Sequence, residues 1–179
     1  MPAPLQKSIA VDILIKITEE FCDFCEKSAS LNLERKIFLL SKLLSKLQAA
    51  IYDIDEVLPE KLPLDFEPGR PSTGLAKDFL DFGRFEGYTL TLEPYNLQDG
   101  LSGAGVGVGS LQDDIADIYK DLKEALGFYY HSPQLKSHTV WHLCDLYFHW
   151  GSHLVNAQRV LFEALQNLGI RPPVKEEIL

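Results

Sequence analysis

Three of the chain's five histidines fall within twelve residues, His142-Leu-Cys-Asp-Leu-Tyr-Phe-His-Trp-Gly-Ser-His153, with an aspartate between them. On a helix, His149 and His153 stand one turn apart, so both imidazoles reach a single ion. Asp145, one turn before His149, supplies a third ligand or an outer acceptor for an imidazole N–H. His142 and His138 extend the same stripe. Tetrahedral Zn is one chemistry this set allows; octahedral Mn or Fe completed by carboxylates from another element is a second. The same sector of the wheel also holds Ser152, Asn156, Arg159, Glu163 and Gln166, as the polar side of any amphipathic helix would. Between 138 and 156, however, it carries histidine in place of Lys and Glu, with Trp141 and Phe148 at its border. The competing expectation is therefore a half-buried cleft wall in a protein that is stable without metal.

A second set of carboxylates lies in 111–124, "LQDDIADIYKDLKE". Asp113-Asp114-x-x-Asp117 places acids one helical turn apart, a spacing that holds Mg²⁺ against a diphosphate in the aspartate-rich motif of all-helical isoprenoid synthases, which it resembles. The chain is short for such a bundle and has no second motif facing the first. The plainer reading is a capped amphipathic helix. Ser110 is the N-cap, and Asp113 and Asp114 sit in the first turn, where the helix dipole favours negative charge. Asp113, Asp117, Lys120, Asp121 and Glu124 then form a solvated face opposite Leu111, Ile115, Ile118, Leu122, Ala125 and Leu126. Asp113 and Asp117 are the carboxylates that could join a histidine site.

Other chemistries are weaker. "LQDGLSGAGVGVGS" at 97–110 has glycines at 103 and 105 but Val108 where a dinucleotide fingerprint needs glycine, and no Gly-Lys-Ser/Thr follows. Cys22-x-x-Cys25 is half a zinc site at best and lies inside a helical pattern, so buried reduced thiols are expected, with Cys144 as core. No cofactor is called for outside the metal alternative.

These residues must be positioned by helices. The stripe Ile13, Leu14, Ile17, Phe21, Phe24 and Cys25 predicts a helix over 5–28. Leu33, Ile37, Leu40, Leu44, Leu47, Ile51, Ile54 and Leu58 alternate steps of four and three, which predicts a long helix over 33–58. That seam suits an intramolecular bundle, with a coiled-coil dimer as the alternative. Pro59, Pro63, Pro68 and Pro71 break the chain at 59–71, and Ser72 caps a short helix ending near Gly83. "YTLTLEPY" predicts an extended arm over Tyr88–Leu92, with no second strand to pair it. Residues 59–71 and 97–110 read as a Pro-rich linker and a Gly-rich loop without regular structure. Ser132-Pro133 opens a last helix that can run to Leu168, with a bend expected near Gly151.

The chain has 179 residues, 46% hydrophobic, with 26 acidic residues against 17 Lys and Arg and a formal net charge of −9. One domain of about five helices, mostly all-α, fits that length. The charge disfavours nucleic acid and anionic membranes as partners. The N-terminal stretch lacks signal-peptide character and the cysteine count is odd, so a cytoplasmic location is expected.

"FCDFCE", "YTLTLEPY", "GSLQDDIADIYKDLKEAL" and "HWGSH" together resemble a bacterial family catalogued as domain of unknown function 5063. The resemblance implies a compact, mostly helical domain and no particular activity. The His149/His153 pair is also similar to that of metal-binding four-helix bundles of the DinB type. Those bundles add a distant histidine, and here no histidine precedes His131, which lies between the last two helices. The expected function is thus a non-catalytic helical protein acting through protein contacts, as partner or homo-oligomer. The alternative is a divalent-metal-binding protein or metal-dependent hydrolase using His149, His153, Asp145, His142, Asp113 and Asp117.

Overall fold

The computed structural model describes residues 4–54, 69, 75–91 and 106–171. Six α-helices, one two-stranded arm and two short 3-10 turns (Gly83–Phe85 and Pro133–Leu135) make up the regular structure of the described residues: α1 (Pro4–Lys27), α2 (Leu33–Tyr52), α3 (Lys77–Leu80), β1 (Gly87–Thr91), β2 (Val106–Ser110), α4 (Leu111–His131), α5 (Lys136–Asp145) and α6 (Tyr147–Asn167). The chain is mostly α-helical, as its periodicities predict. Five helices become six because the last expected one is broken at Leu146.

α1 packs on α2, α2 on α6, α6 on α4 and α4 on α1, which closes a four-helix ring; α5 lies against α4 and α1. The ring is filled by the predicted seams. Ile37, Leu40, Leu44 and Leu47 of α2 are fully buried, as are Leu111, Ile115, Ile118, Leu122, Ala125 and Leu126 of α4. From α1 come Leu14, Phe21, Cys22 and Cys25, and burial pushes both thiols well above their ordinary range. Ile13, counted in that stripe, is instead 46% exposed. The α1–α2 turn ends at Asn32, whose side chain accepts the Arg35 amide N–H at 2.9 Å and caps α2.

Three local expectations are corrected. First, Val106–Ser110 is not loop but strand β2, antiparallel to β1, with Tyr88 opposite Gly109 and Thr89 opposite Val108. Glycine is a poor strand former, yet here its missing side chain is room: a Cβ on Gly109 would collide with the Tyr88 ring. The remaining loop residues 97–105, the linker 59–71 apart from Gly69, Ser72 and 55–58 lie outside the described residues. Second, β2 runs directly into α4, whose N-cap Ser110 accepts the Asp113 amide N–H at 3.2 Å. The arm, expected to stand without a partner strand, is therefore paired and fixed to the acidic helix.

Third, the break in the histidine segment is at Leu146, not Gly151. Trp150, fully buried, donates its indole N–H to the Leu143 carbonyl at 2.9 Å, taking an acceptor that a continuous helix would give to the backbone. Gly151 lies inside α6, and a Cβ there would stand 2.7 Å from Tyr147 Cε2. Its smallness seats the Tyr147 ring and does not bend the helix.

Candidate functional site at the seam of α4 and α6

α4 and α6 run antiparallel, and the histidine stripe faces α4 along its length. At one end His142 Nε2 stands 3.4 Å from Glu124 Oε1, with its ring edge-on to Phe128 at 5.3 Å between centroids. His138 lies against the same Phe128, and neither of its buried ring nitrogens has a hydrogen-bond partner among the described residues. Further along, His149 Nδ1 is 2.5 Å from Asp121 Oδ2, and His153 Nδ1 is 2.8 Å from Asp114 Oδ1. The two imidazoles meet edge-to-face at 5.0 Å.

The carboxylates that hold these histidines are not surface groups. Asp114 and Asp121 are buried, at 3% and 1% exposure, because α6 lies over them. The expected solvated face of α4 is corrected accordingly: Asp121 belongs to the helix–helix seam. A buried carboxylate without a partner is costly, and each of these has an imidazole. Asp114 has more. Its Oδ2 accepts the Tyr88 hydroxyl at 2.5 Å, which raises the Tyr88 pKa through burial and through that bond. Arg159 of α6 stacks on the Tyr88 ring at 5.3 Å and donates to the Thr89 carbonyl at 3.1 Å. The arm is thus tied to the seam from both helices. The hydrogen bond to Asp114 raises the His153 pKa, against the opposing effect of burial.

Asp117 faces the same point. Its Oδ1 pairs with Lys120 at 2.7 Å, and its Oδ2 is 3.7 Å from His153 Nε2. Burial works against its ionisation, but the Lys120 hydrogen bond and charge leave its pKa lowered. An open cleft of about 410 Å³ lies here, lined by Tyr88, Val108, Asp113, Asp114, Asp117, His153 and Asn156 among others. Asp113 and Asp117 therefore share a side of the bundle with His153. Asp145 does not join them: it is exposed, at the end of α5, and makes no hydrogen bond or ion pair with either histidine. His142 lies against Phe128, and its buried Nε2, though 3.4 Å from Glu124 Oε1, makes no hydrogen bond among the described residues. Among the described residues, no three His, Cys, Asp or Glu side chains already stand as a closed ligand set for a metal ion.

The arm's hold on the site makes a direct prediction. Gly109→Ala forces the Tyr88 ring away from β2 and breaks its hydrogen bond to Asp114. A bond to a charged group contributes about 1.5–3 kcal/mol, so a stability loss of about 1.5 kcal/mol is expected in urea unfolding. Tyr88→Phe should lose a similar amount with the ring left in place. If Gly109→Ala is neutral while Tyr88→Phe is not, the steric account is wrong.

The family model of the domain of unknown function DUF5063 matches residues 7–167. The chain belongs to that family. Nearly the whole bundle, from α1 to the end of α6, lies within the DUF5063 match, including every residue of the seam. A solved structure, protein BF1032 from Bacteroides fragilis, is similar at a TM-score of 0.59 and 19% identity, covering 87% of this chain and 94% of its own. That likeness shows a shared fold. No curated protein matches the chain. No helix among the described residues is long and apolar enough to cross a membrane.

Sequence reasoning reached His149, His153 and Asp117 but missed Asp114, Asp121, Tyr88 and Arg159. A signal was present for the acids. Asp114, Asp117 and Asp121 repeat at three and four, like a buried seam, whereas Asp113, paired with Asp117 in the sequence reading, lies at its outer edge.

Proposed function

We propose that this protein is a non-catalytic module that binds another protein through the outer face of α6. The observation that carries this is a spacing. Phe148, Val155 and Phe162 repeat every seven residues on the side of α6 turned away from the bundle, and are 92%, 53% and 59% exposed. Large apolar side chains in a heptad line are what a partner helix covers. A groove of about 420 Å³ lined by Phe162, Leu165, Gly169 and Ile170 continues the line past the helix end.

The partner that fits is an amphipathic helix with an apolar seam and basic flanks. Asp145 is exposed just before the line, and Glu163 beside it is paired with Arg159 at 3.4 Å, on a chain of net charge −9. Such charge favours a basic partner over a second copy of this chain and speeds its encounter.

The test uses a fluorescent helical peptide with a leucine seam and lysine flanks, compared with one carrying glutamate flanks. The lysine peptide should bind saturably and the glutamate peptide should not. Phe148→Ser with Phe162→Ser should weaken binding about tenfold or more while leaving the thermal midpoint unchanged, since both side chains are exposed. Equal binding of both peptides, or binding untouched by the double substitution, would reject the proposal.

A further inference from the structure

The cleft beside the arm contains an arrangement that protein contact does not use. His153 presents Nε2 to Asp117 Oδ2 across 3.7 Å, one group from α6 and one from α4. Two ligands bound to one ion at about 2.1 Å each stand roughly 3–4 Å apart, depending on the angle between them. The two atoms are already at that separation.

Both groups are also oriented from behind. Nδ1 of His153 lies on buried Asp114 at 2.8 Å, so its N–H donates to that carboxylate and, in the neutral ring, the lone pair falls on Nε2. Asp114 is in turn held by the Tyr88 hydroxyl on its other oxygen. A carboxylate behind an imidazole fixes its tautomer and raises its strength as a ligand. Asp117 is divided in the same sense, with Lys120 on Oδ1 and Oδ2 turned to His153. Asp113 and Asn156 line the same cleft, and neither side chain has a hydrogen-bond partner among the described residues.

We propose that His153 Nε2 and Asp117 Oδ2 seat a divalent transition-metal cation in this cleft, with water completing its coordination. The pair differs from the one the sequence pattern favours. His149, the i−4 neighbour, packs edge-to-face on the His153 ring, and the atom at ligand spacing from His153 Nε2 is a carboxylate oxygen of the facing helix instead. Two protein ligands and an open cleft describe an exchangeable site, not a structural one, so the fold does not depend on the ion. The inference is independent of the α6 outer face.

The experiment titrates the metal-free full chain with Mn²⁺, followed by the electron paramagnetic resonance of the free ion, and with Zn²⁺ by calorimetry. One equivalent of each should bind. Asp117→Asn and His153→Gln should each weaken binding about tenfold or more. Asp114→Asn should weaken it by about tenfold through the lost orientation of His153. Lys120→Met, which removes a positive charge beside the ligand, should tighten it several-fold. Circular dichroism reports whether each variant folds. Should His153→Gln not fold, Asp117→Asn and Lys120→Met decide, because both side chains are partly exposed. Absence of saturable binding by either ion overturns the site, as does binding that Asp117→Asn leaves unchanged or that Lys120→Met fails to strengthen.

Discussion

Trp150→Ala is expected to cost about 4 kcal/mol, the range for deleting a fully buried aromatic from a packed core. Trp150 is completely enclosed, meets Tyr147 edge-on at 4.9 Å, and supplies the N–H that satisfies Leu143 at the α5–α6 break. The substitution therefore removes volume and strands a buried carbonyl together. Trp150→Phe separates the two. It keeps most of the apolar volume and loses only the hydrogen bond, so about 1–2 kcal/mol is expected. Urea unfolding of both variants measures the pair. A Trp150→Phe loss as large as that of Trp150→Ala would mean that packing contributes little, and that the indole hydrogen bond alone holds the break.

The same break shows where local pattern stops being informative. A helix from Ser132-Pro133 to Leu168 is what the periodicity of that stretch dictates, and both halves form. Gly151 draws the expectation of a bend because glycine weakens a helix. The bend lies five residues earlier because a tryptophan four residues past Leu146 competes for a carbonyl, which no propensity encodes. In α4 the six apolar positions read from the 3.6-residue period are all fully buried, while Ala116, Tyr119 and Phe128 are buried beside them. The burial of Asp114 and Asp121 was not legible, because it depends on which helix lies above them. β2 was hidden for the opposite reason. Val-Gly-Val-Gly-Ser looks like a linker until the cross-strand Tyr88 ring occupies the space over Gly109. The candidate site thus divides along a physical line: residues set by one helix's periodicity were visible, and residues set by a neighbour were not.

Lys36 follows the same rule and is expected to have the second large effect. It sits among the apolar positions of α2, only 3% exposed, where a lysine reads as a solvated residue. Its ammonium donates to three backbone carbonyls, Asp78 at 3.0 Å, Phe79 at 2.9 Å and Asp81 at 2.7 Å, at the end of the one-turn helix α3. The rings of Phe79 and Phe82 lie 5.7 and 5.1 Å from Nζ. Burial lowers its pKa, opposed by the charges of Asp81 and Asp78. A helix this short has no stability of its own, so this cation and the contact of Phe79 with Phe24 of α1 hold it on the bundle. Lys36→Met keeps the volume of the stem and removes every donor. Hydrogen bonds from a charged group contribute about 1.5–3 kcal/mol each, partly offset by relief of the buried charge, so a net loss of about 3 kcal/mol is expected. Lys36→Arg should not restore it, because a planar fork cannot converge on three carbonyls as an ammonium does. Hydrogen exchange at the amides of 79–85 should accelerate more than that of α4. If Lys36→Met unfolds within about 1 kcal/mol of the parent, or if exchange rises evenly through the bundle, the lysine is not what anchors this segment.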